Sequence, residues 1–288
     1  MRTVPASAPA GAAAQHTTAS LTADLAALGV EPGEVLWVQA GLRSVGRVAG
    51  GAATVVRALL EALGGTGPGT LVTYTATPEN SDTSRLAARL TEGLTPEGLA
   101  AHRAAMPAFD PRTTPASPTM GRLAEQIRRT PGAVRSSHPQ TSFAAVGRHA
   151  RRITGRHELD CHLGESSPLG RLYELAARVL LVDVPLSRLT AFHLADLRAA
   201  DLPTRPYGCV VRDGTGQRRW QHFQAPDLDD RHFGELAGAL LGEGQGIRSG
   251  RFGDADCLLV PVVEAVDVAG RVLRGRAGPA RAAAAARD

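Results

Sequence analysis

The chain has 288 residues, 43% of them hydrophobic and 4% aromatic, and its 32 basic and 28 acidic side chains leave a net charge of +4. That length allows a sizeable core in one large domain or two small ones. A basic excess this mild, with no block of Arg alternating with aromatics, argues against a nucleic-acid binder, and no apolar run nears the roughly 20 residues that span a bilayer.

Every basic side chain is arginine, which with the Ala, Gly and Pro content points to a GC-rich bacterial genome. Cys161, Cys209 and Cys257 are odd in number and far apart. They make neither a metal-spaced pair nor a disulfide framework, so a reducing cytoplasm is expected, and no metal site.

Residues 1–18, rich in Ala, Pro and Thr, read as a disordered extension. Leu21 to Leu28 reads as a helix stopped by Gly29, and Val35 to Val38 as a buried strand. A loop from Gln39 to Gly46 leads to an amphipathic helix, Ala52 to Leu63, and a second strand, Gly69 to Thr75. This is a βαβ-like opening. Free amides at the helix start, with Arg43 and Ser44 nearby, suit a phosphate, although the spacing matches neither the dinucleotide fingerprint nor the Walker A loop. A plain tight turn is the alternative.

Thr77 to Pro118 is polar and irregular, as a lid or binding segment would be, with a short helix at Leu94 to Ala105. Gly121 to Arg129 and Gly147 to Ile153 read as helices, and Ser142 to Val146 as a strand after the turn Ser136-Ser137-His138-Pro139. Serines cap a helix from Leu169 to Leu175, with Pro168 in its first turn. Val179 to Val182 is a strand candidate, followed by a helix that Ser187 or Thr190 can cap and that ends near Ala200. His193 and Asp196 share a face of this helix, at a strand-to-helix junction where α/β proteins usually bind ligands. An ordinary core or surface histidine is the plainer alternative.

Val210 to Arg212 and Gln217 to Phe223 read as a hairpin around Asp213-Gly214. A helix at Phe233 to Leu241, a strand at Ala255 to Val260 and a helix at Val262 to Leu273 follow. With no repeat and no linker, the expected fold is a single α/β domain over residues 19–275, and residues 276–288 read as a flexible tail. A central mixed β-sheet flanked by helices, with long irregular active-site loops, is expected.

Several stretches occur together in one family. They include Leu42-Arg43-Ser44-Val45-Gly46, Phe109-Asp110-Pro111-Arg112, Met120-Gly121-Arg122-Leu123 and Ser136-Ser137-His138-Pro139. Gly164-Glu165-Ser166-Ser167-Pro168-Leu169 and Thr190 with His193-Leu194-Ala195-Asp196 complete the set. From about Leu21 to Leu273 the chain resembles the aminoglycoside 3-N-acetyltransferases, which have their own α/β fold, distinct from GNAT enzymes. The resemblance implies acetyl-coenzyme A as co-substrate and a small-molecule amine or hydroxyl as acceptor, with a homodimer as one assembly. It also implies site roles. His193 is the general base, Thr190 an oxyanion donor, and Asp227 the carboxylate that orients His193 from another segment. Arg43, Ser44, Val45 and Gly46 hold the coenzyme, with Ser136, Ser137 and His138 along its arm; a structural turn is the alternative for these three. Glu79, Asp82, Asp110, Glu165 and Asp196 contact a cationic acceptor; for Glu165 a helix-start carboxylate is the alternative.

Two stretches depart from the family pattern. Val38-Gln39-Ala40-Gly41 replaces Val-His-Ser-Ser, and Asp183 to Leu189 replaces the usual Gly-Val-Gly-His-Asp-containing loop. They leave room for a diverged acyltransferase acting on another natural-product intermediate, or for a binding relative without catalysis.

Overall fold

Alternation along the first apolar run sets the architecture. In β1 (Val35–Ala40), Val35 and Trp37 join one apolar cluster while Leu36 and Val38 join another on the opposite face, and all four are buried. A strand apolar on both faces needs cover on both. The computed structural model describes residues 15–285.

One layer of cover comes from α1 (Thr18–Leu28), α2 (Ala52–Ala62) and α5 (Gly121–Arg128). The chain first passes β2 (Thr70–Tyr74), α3 (Arg85–Thr91) and α4 (Pro96–Ala105) before reaching α5. It continues through β3 (Val134–Arg135), β4 (Phe143–Gly147), α6 (Ala150–Thr154), α7 (Pro168–Glu174), β5 (Arg178–Val182) and α8 (Phe192–Ala199). A two-stranded hairpin of β6 (Thr204–Arg212) and β7 (Arg218–Pro226) precedes α9 (Phe233–Glu243). The last elements are β8 (Arg248–Phe252), β9 (Ala255–Pro261) and α10 (Val262–Ala285). Residues of α6 to α10 make up the second layer of cover.

The main sheet runs β3-β4-β2-β1-β5-β9-β8. β1 lies parallel to both β2 and β5, while β4 and β9 run antiparallel beside them. The expected mixed sheet flanked by helices is therefore the one found. The carboxyl ends of β2, β1 and β5 open on the same edge, where α/β sheets commonly receive ligands.

Several boundaries move. His16 bridges to Val48, and Thr17 caps α1 through Ser20, so residues 15–18 belong to the fold; residues 1–14 lie outside the described residues. The irregular stretch after Thr77 holds α3 as well as α4, because Ser84 caps a short helix whose Ala87 is buried. β8 is an edge strand, Arg-Ser-Gly-Arg-Phe, with only Phe252 buried, and so it shows no apolar alternation in the sequence. The hairpin is longer than its turn signal suggested, and Pro206 is tolerated because the bridges on the outer edge of β6 fall at Cys209 and Val211, beyond it. α10 continues to Ala285, so the tail is helical as far as it is described.

Gly147 ends β4 with φ near +120°, and a Cβ there would sit 2.1 Å from the Gly69 carbonyl oxygen. Gly147→Ala should cost about 1–3 kcal/mol, read as a lower urea midpoint with an unchanged slope.

Candidate active site

Three cavities lie in a row at the carboxyl ends of β1 and β2. The outer one, about 480 Å³, is walled by Gly41 to Arg43 and by Pro118 to Arg122. A narrower neck of about 250 Å³ lies along Gln39, Tyr74 and Thr190. The inner one, about 460 Å³, holds His193, His162, Arg205 and Tyr207. Met120 stands in the wall of all three.

At the outer end, Arg43 and Arg122 are exposed and form no ion pair among the described residues. Met120 and Gly121 lead into α5 with no side-chain cap, and the Gly121 amide goes to the Pro118 carbonyl. Of the four residues expected to bind the coenzyme at this loop, Arg43 alone faces the cavity. Ser44 donates its hydroxyl to Asp183. The Val45 carbonyl receives the amide of Asp254, and the open side of Gly46 faces the Asp254 carboxylate. The start of α2 lines none of the three cavities, whereas Gly121 and Arg122 at the start of α5 line the outer one.

In the neck, Gln39 Nε2 donates to Thr190 Oγ1 at 3.2 Å. The N-cap of α8 is Ala191, without a side-chain cap, so neither Thr190 nor Ser187 has the capping role expected of it. The Thr190 hydroxyl therefore keeps its hydrogen for another acceptor in the neck.

His193 packs its ring against Phe233, 4.7 Å between centroids. Its Nδ1 is buried without a hydrogen-bond partner and lies 3.6 Å from Asp196 Oδ2, beyond hydrogen-bond reach. The other Asp196 oxygen meets His232 Nε2 at 2.7 Å. Asp196 is thus a buried carboxylate held between two imidazoles. Asp227, expected to orient His193, pairs with Arg205 of the hairpin at 2.8 Å.

Ser136, Ser137 and His138, expected along the coenzyme's arm, line none of the three cavities, and Ser136 and His138 are held in hydrogen bonds of their own. His138 Nδ1 accepts from the amides of Gln140 and Thr141, each at 3.1 Å, and Nε2 donates to the Leu159 carbonyl. Ser136 Oγ accepts from the Phe143 amide and meets His157 Nδ1 at 3.0 Å. Ser137 is exposed and lies outside the three cavities. The acidic candidates are committed elsewhere as well. Asp82 pairs with Arg103 and Glu165 with Arg198, while Glu79 accepts from Ser117 and Asp110 from the Arg112 amide. None of them lines the inner cavity.

Sequence reasoning missed Tyr74, Met120, Arg122, His162 and His232. The Met120-Gly121-Arg122 motif carries no role that the sequence alone assigns. His232 carried no local signal, since its meeting with Asp196 spans 36 residues.

The family model described as aminoglycoside 3-N-acetyltransferase matches residues 37–274. Over 259 residues the chain is 34% identical to the SPbeta prophage-derived aminoglycoside N(3')-acetyltransferase-like protein YokD of Bacillus subtilis (strain 168), covering 88% of this chain and 91% of that protein. The YokD crystal structure aligns with a TM-score of 0.84 at 32% identity, over 92% of this chain and 95% of that one. A structure of AAC-IIIb in binary complex with CoASH aligns with a TM-score of 0.77 at 32% identity, over 91% and 98%. Sisomicin-bound AAC-VIa aligns with a TM-score of 0.80 at 27% identity, over 91% and 99%.

Burial holds His157 at a pKa of about 4 and His162 at about 3, with the His157 charge adding to the effect on His162. Both lie below the ordinary value of 6.5. Between the folded and unfolded values the unfolded chain binds protons that the folded chain does not, so stability rises with pH in that window. Urea midpoints should therefore fall as pH drops below about 6.5 and keep falling through about 4. A flat midpoint from neutrality to about pH 5, where carboxylates are still largely ionised, would show that these rings are not held neutral.

Proposed function

The chain belongs to the aminoglycoside 3-N-acetyltransferase family, and we propose that it moves an acetyl group from acetyl-coenzyme A to an amine of an aminoglycoside or related aminosugar. The observation that carries this reading is the row of cavities leading from Arg43 and Arg122, which form no ion pair among the described residues, to the His193 imidazole beside Asp196. Arg43, Arg122 and the first amides of α5 bind the coenzyme's phosphates, as paired guanidiniums at a helix start favour an anion. The arm of the coenzyme follows the neck and brings the thioester carbonyl to Thr190. Gln39 already donates to Thr190 Oγ1, which leaves the hydroxyl hydrogen to meet charge developing on that oxygen. In this way Gln39 gives the altered stretch at the end of β1 a use. The CoASH complex of AAC-IIIb supports this co-substrate.

His193 takes the proton from the acceptor amine as the nitrogen attacks the thioester carbon. An N–C bond forms, the C–S bond breaks, and the coenzyme thiol leaves. Asp196 replaces Asp227 as the positioning carboxylate: it is buried beside the ring and anchored by His232, and its negative charge favours the imidazolium that forms. A cytoplasmic setting fits a coenzyme A substrate and three free cysteines.

A second reading has one specific observation behind it. No carboxylate side chain lines the inner cavity, and Arg205 does. A polycation gains most from facing carboxylates, so an amine or hydroxyl on a less charged natural-product intermediate is the alternative acceptor. Thiol release from acetyl-coenzyme A with sisomicin, compared with singly charged amino alcohols, separates the two.

His193→Ala should lower kcat about 10²–10⁴-fold with coenzyme affinity nearly unchanged, measured by single-turnover kinetics and calorimetry. Retention of more than about a tenth of turnover removes His193 as the base. Arg43→Ala with Arg122→Ala should have the opposite profile, with weak coenzyme binding and a kcat at saturation close to wild type. Unaltered coenzyme affinity in that double variant would move the phosphate site elsewhere.

A further inference from the structure

Acyl transfer sets three directions around one carbon. The amine arrives from one side, the thiol leaves on another, and the carbonyl oxygen, where negative charge gathers, points to the wall between them. With the coenzyme's arm in the neck and the acceptor beside His193, the reacting carbon sits where those two cavities meet. Two residues line both of them, Tyr74 and Met120. The Met120 thioether has no hydrogen to donate, and its amide is spent on the Ser117 carbonyl at 2.9 Å. Tyr74 is the member of the pair that can answer charge on the oxygen.

Tyr74 ends β2, where it pairs with Phe143 of β4, and its ring lies against the Phe143 ring with centroids 4.9 Å apart. The ladder and the ring contact fix the side chain before any ligand arrives. The hydroxyl forms no hydrogen bond among the described residues, nor is it one of the polar side-chain atoms closed off from solvent, so it opens into the space the two cavities share. Burial of the phenol pushes its pKa above the ordinary 10, so the hydroxyl keeps its hydrogen and serves as a donor and not as a base. Of the other hydroxyls in the neck, Thr73 donates to the Val38 carbonyl at 3.4 Å and Thr119 shares a hydrogen bond with Ser117 at 2.7 Å. Thr190, which accepts from Gln39, is the remaining one.

We propose that Tyr74 is a catalytic residue, donating its hydroxyl hydrogen to the thioester carbonyl oxygen beside Thr190 as the amine attacks. The proposal rests on the transferase reading above. As the N–C bond forms, the carbonyl π pair moves onto oxygen, where the two hydroxyls hold it by hydrogen bonds without giving up their protons. Return of that pair breaks the C–S bond. The amine proton, taken by His193, completes the departing coenzyme thiol.

Tyr74→Phe keeps a ring against Phe143 and removes the hydroxyl. With sisomicin and acetyl-coenzyme A it should lower kcat about 10²–10³-fold, with the KM of each substrate within about twofold of wild type. Independently of turnover, infrared spectra of acetyl-coenzyme A, isotope-labelled at the thioester carbonyl and bound without acceptor, should show the carbonyl band below its frequency in free coenzyme. The Phe variant should move that band back toward the free value. Replacing Tyr74 by fluorotyrosine, a more acidic phenol of nearly the same size, should move it further down. An unchanged band in a Phe variant that binds the coenzyme overturns the proposal, as does a kcat within about threefold of wild type. A loss confined to the acceptor KM overturns it as well, since the hydroxyl then meets the acceptor and not the thioester. Should the Phe variant fail to fold, an unmoved band in the fluorotyrosine protein overturns it. Absence of thiol release from wild-type enzyme with every acceptor defeats the transferase reading, and the carbonyl band then decides the Tyr74 contact by itself; a wild-type protein that binds no acetyl-coenzyme A defeats both.

Discussion

Burial of β1 on both faces is the constraint on which the rest depends. Its side chains leave alternately into two apolar clusters, and Trp37 and Leu36 are fully buried on opposite sides. Backbone groups in such a strand must find partners on both edges, and parallel neighbours β2 and β5 provide them. Three parallel strands so placed end together. Beyond their carboxyl ends the chain turns away in different directions, and the space left between the departing segments is the row of cavities. The site is a consequence of how the core closes.

Electrostatics then decides the partners within that space. A buried carboxylate needs hydrogen-bond donors or cations nearby, and leaving one unpaired costs several kcal/mol. Asp196 finds its donor in His232, at the start of α9, and lies beside His193 on its own helix. Asp227 is satisfied by Arg205 across the hairpin. The same logic engages Asp82 and Glu165, since each has an arginine of its own. The result is an inner cavity whose lining is mostly neutral, unlike the acidic site that five scattered carboxylates had suggested.

The histidines divide by the same accounting of donors and acceptors. His138 and His157 have both ring nitrogens engaged and hold loops together. Among the described residues, His162 and His193 each keep a buried nitrogen without a partner. Residue type and local motif could not separate these two pairs; only the count of bonds at each nitrogen does.

The sequence by itself determined the elements whose pattern is local. The strands β1, β2, β4, β5 and β9, the amphipathic α2, the cap of α7 at Ser167 and the place of His193 near the start of α8 follow from periodicity, turn residues and family motifs. Only the tertiary structure decided the edge strand β8, the hydrogen bonds of Ser136 and His138, and the pairing of Asp227 with Arg205. It also decided the meeting of Arg43 with Met120-Gly121-Arg122 around one cavity. The physical reason is range. Hydrophobic alternation and capping act over a few residues, so they are written along the chain. Ion pairs and hydrogen bonds between segments such as Asp196 with His232 and Arg205 with Asp227 depend on which donor packing brings closest, and that is settled only when the layers close.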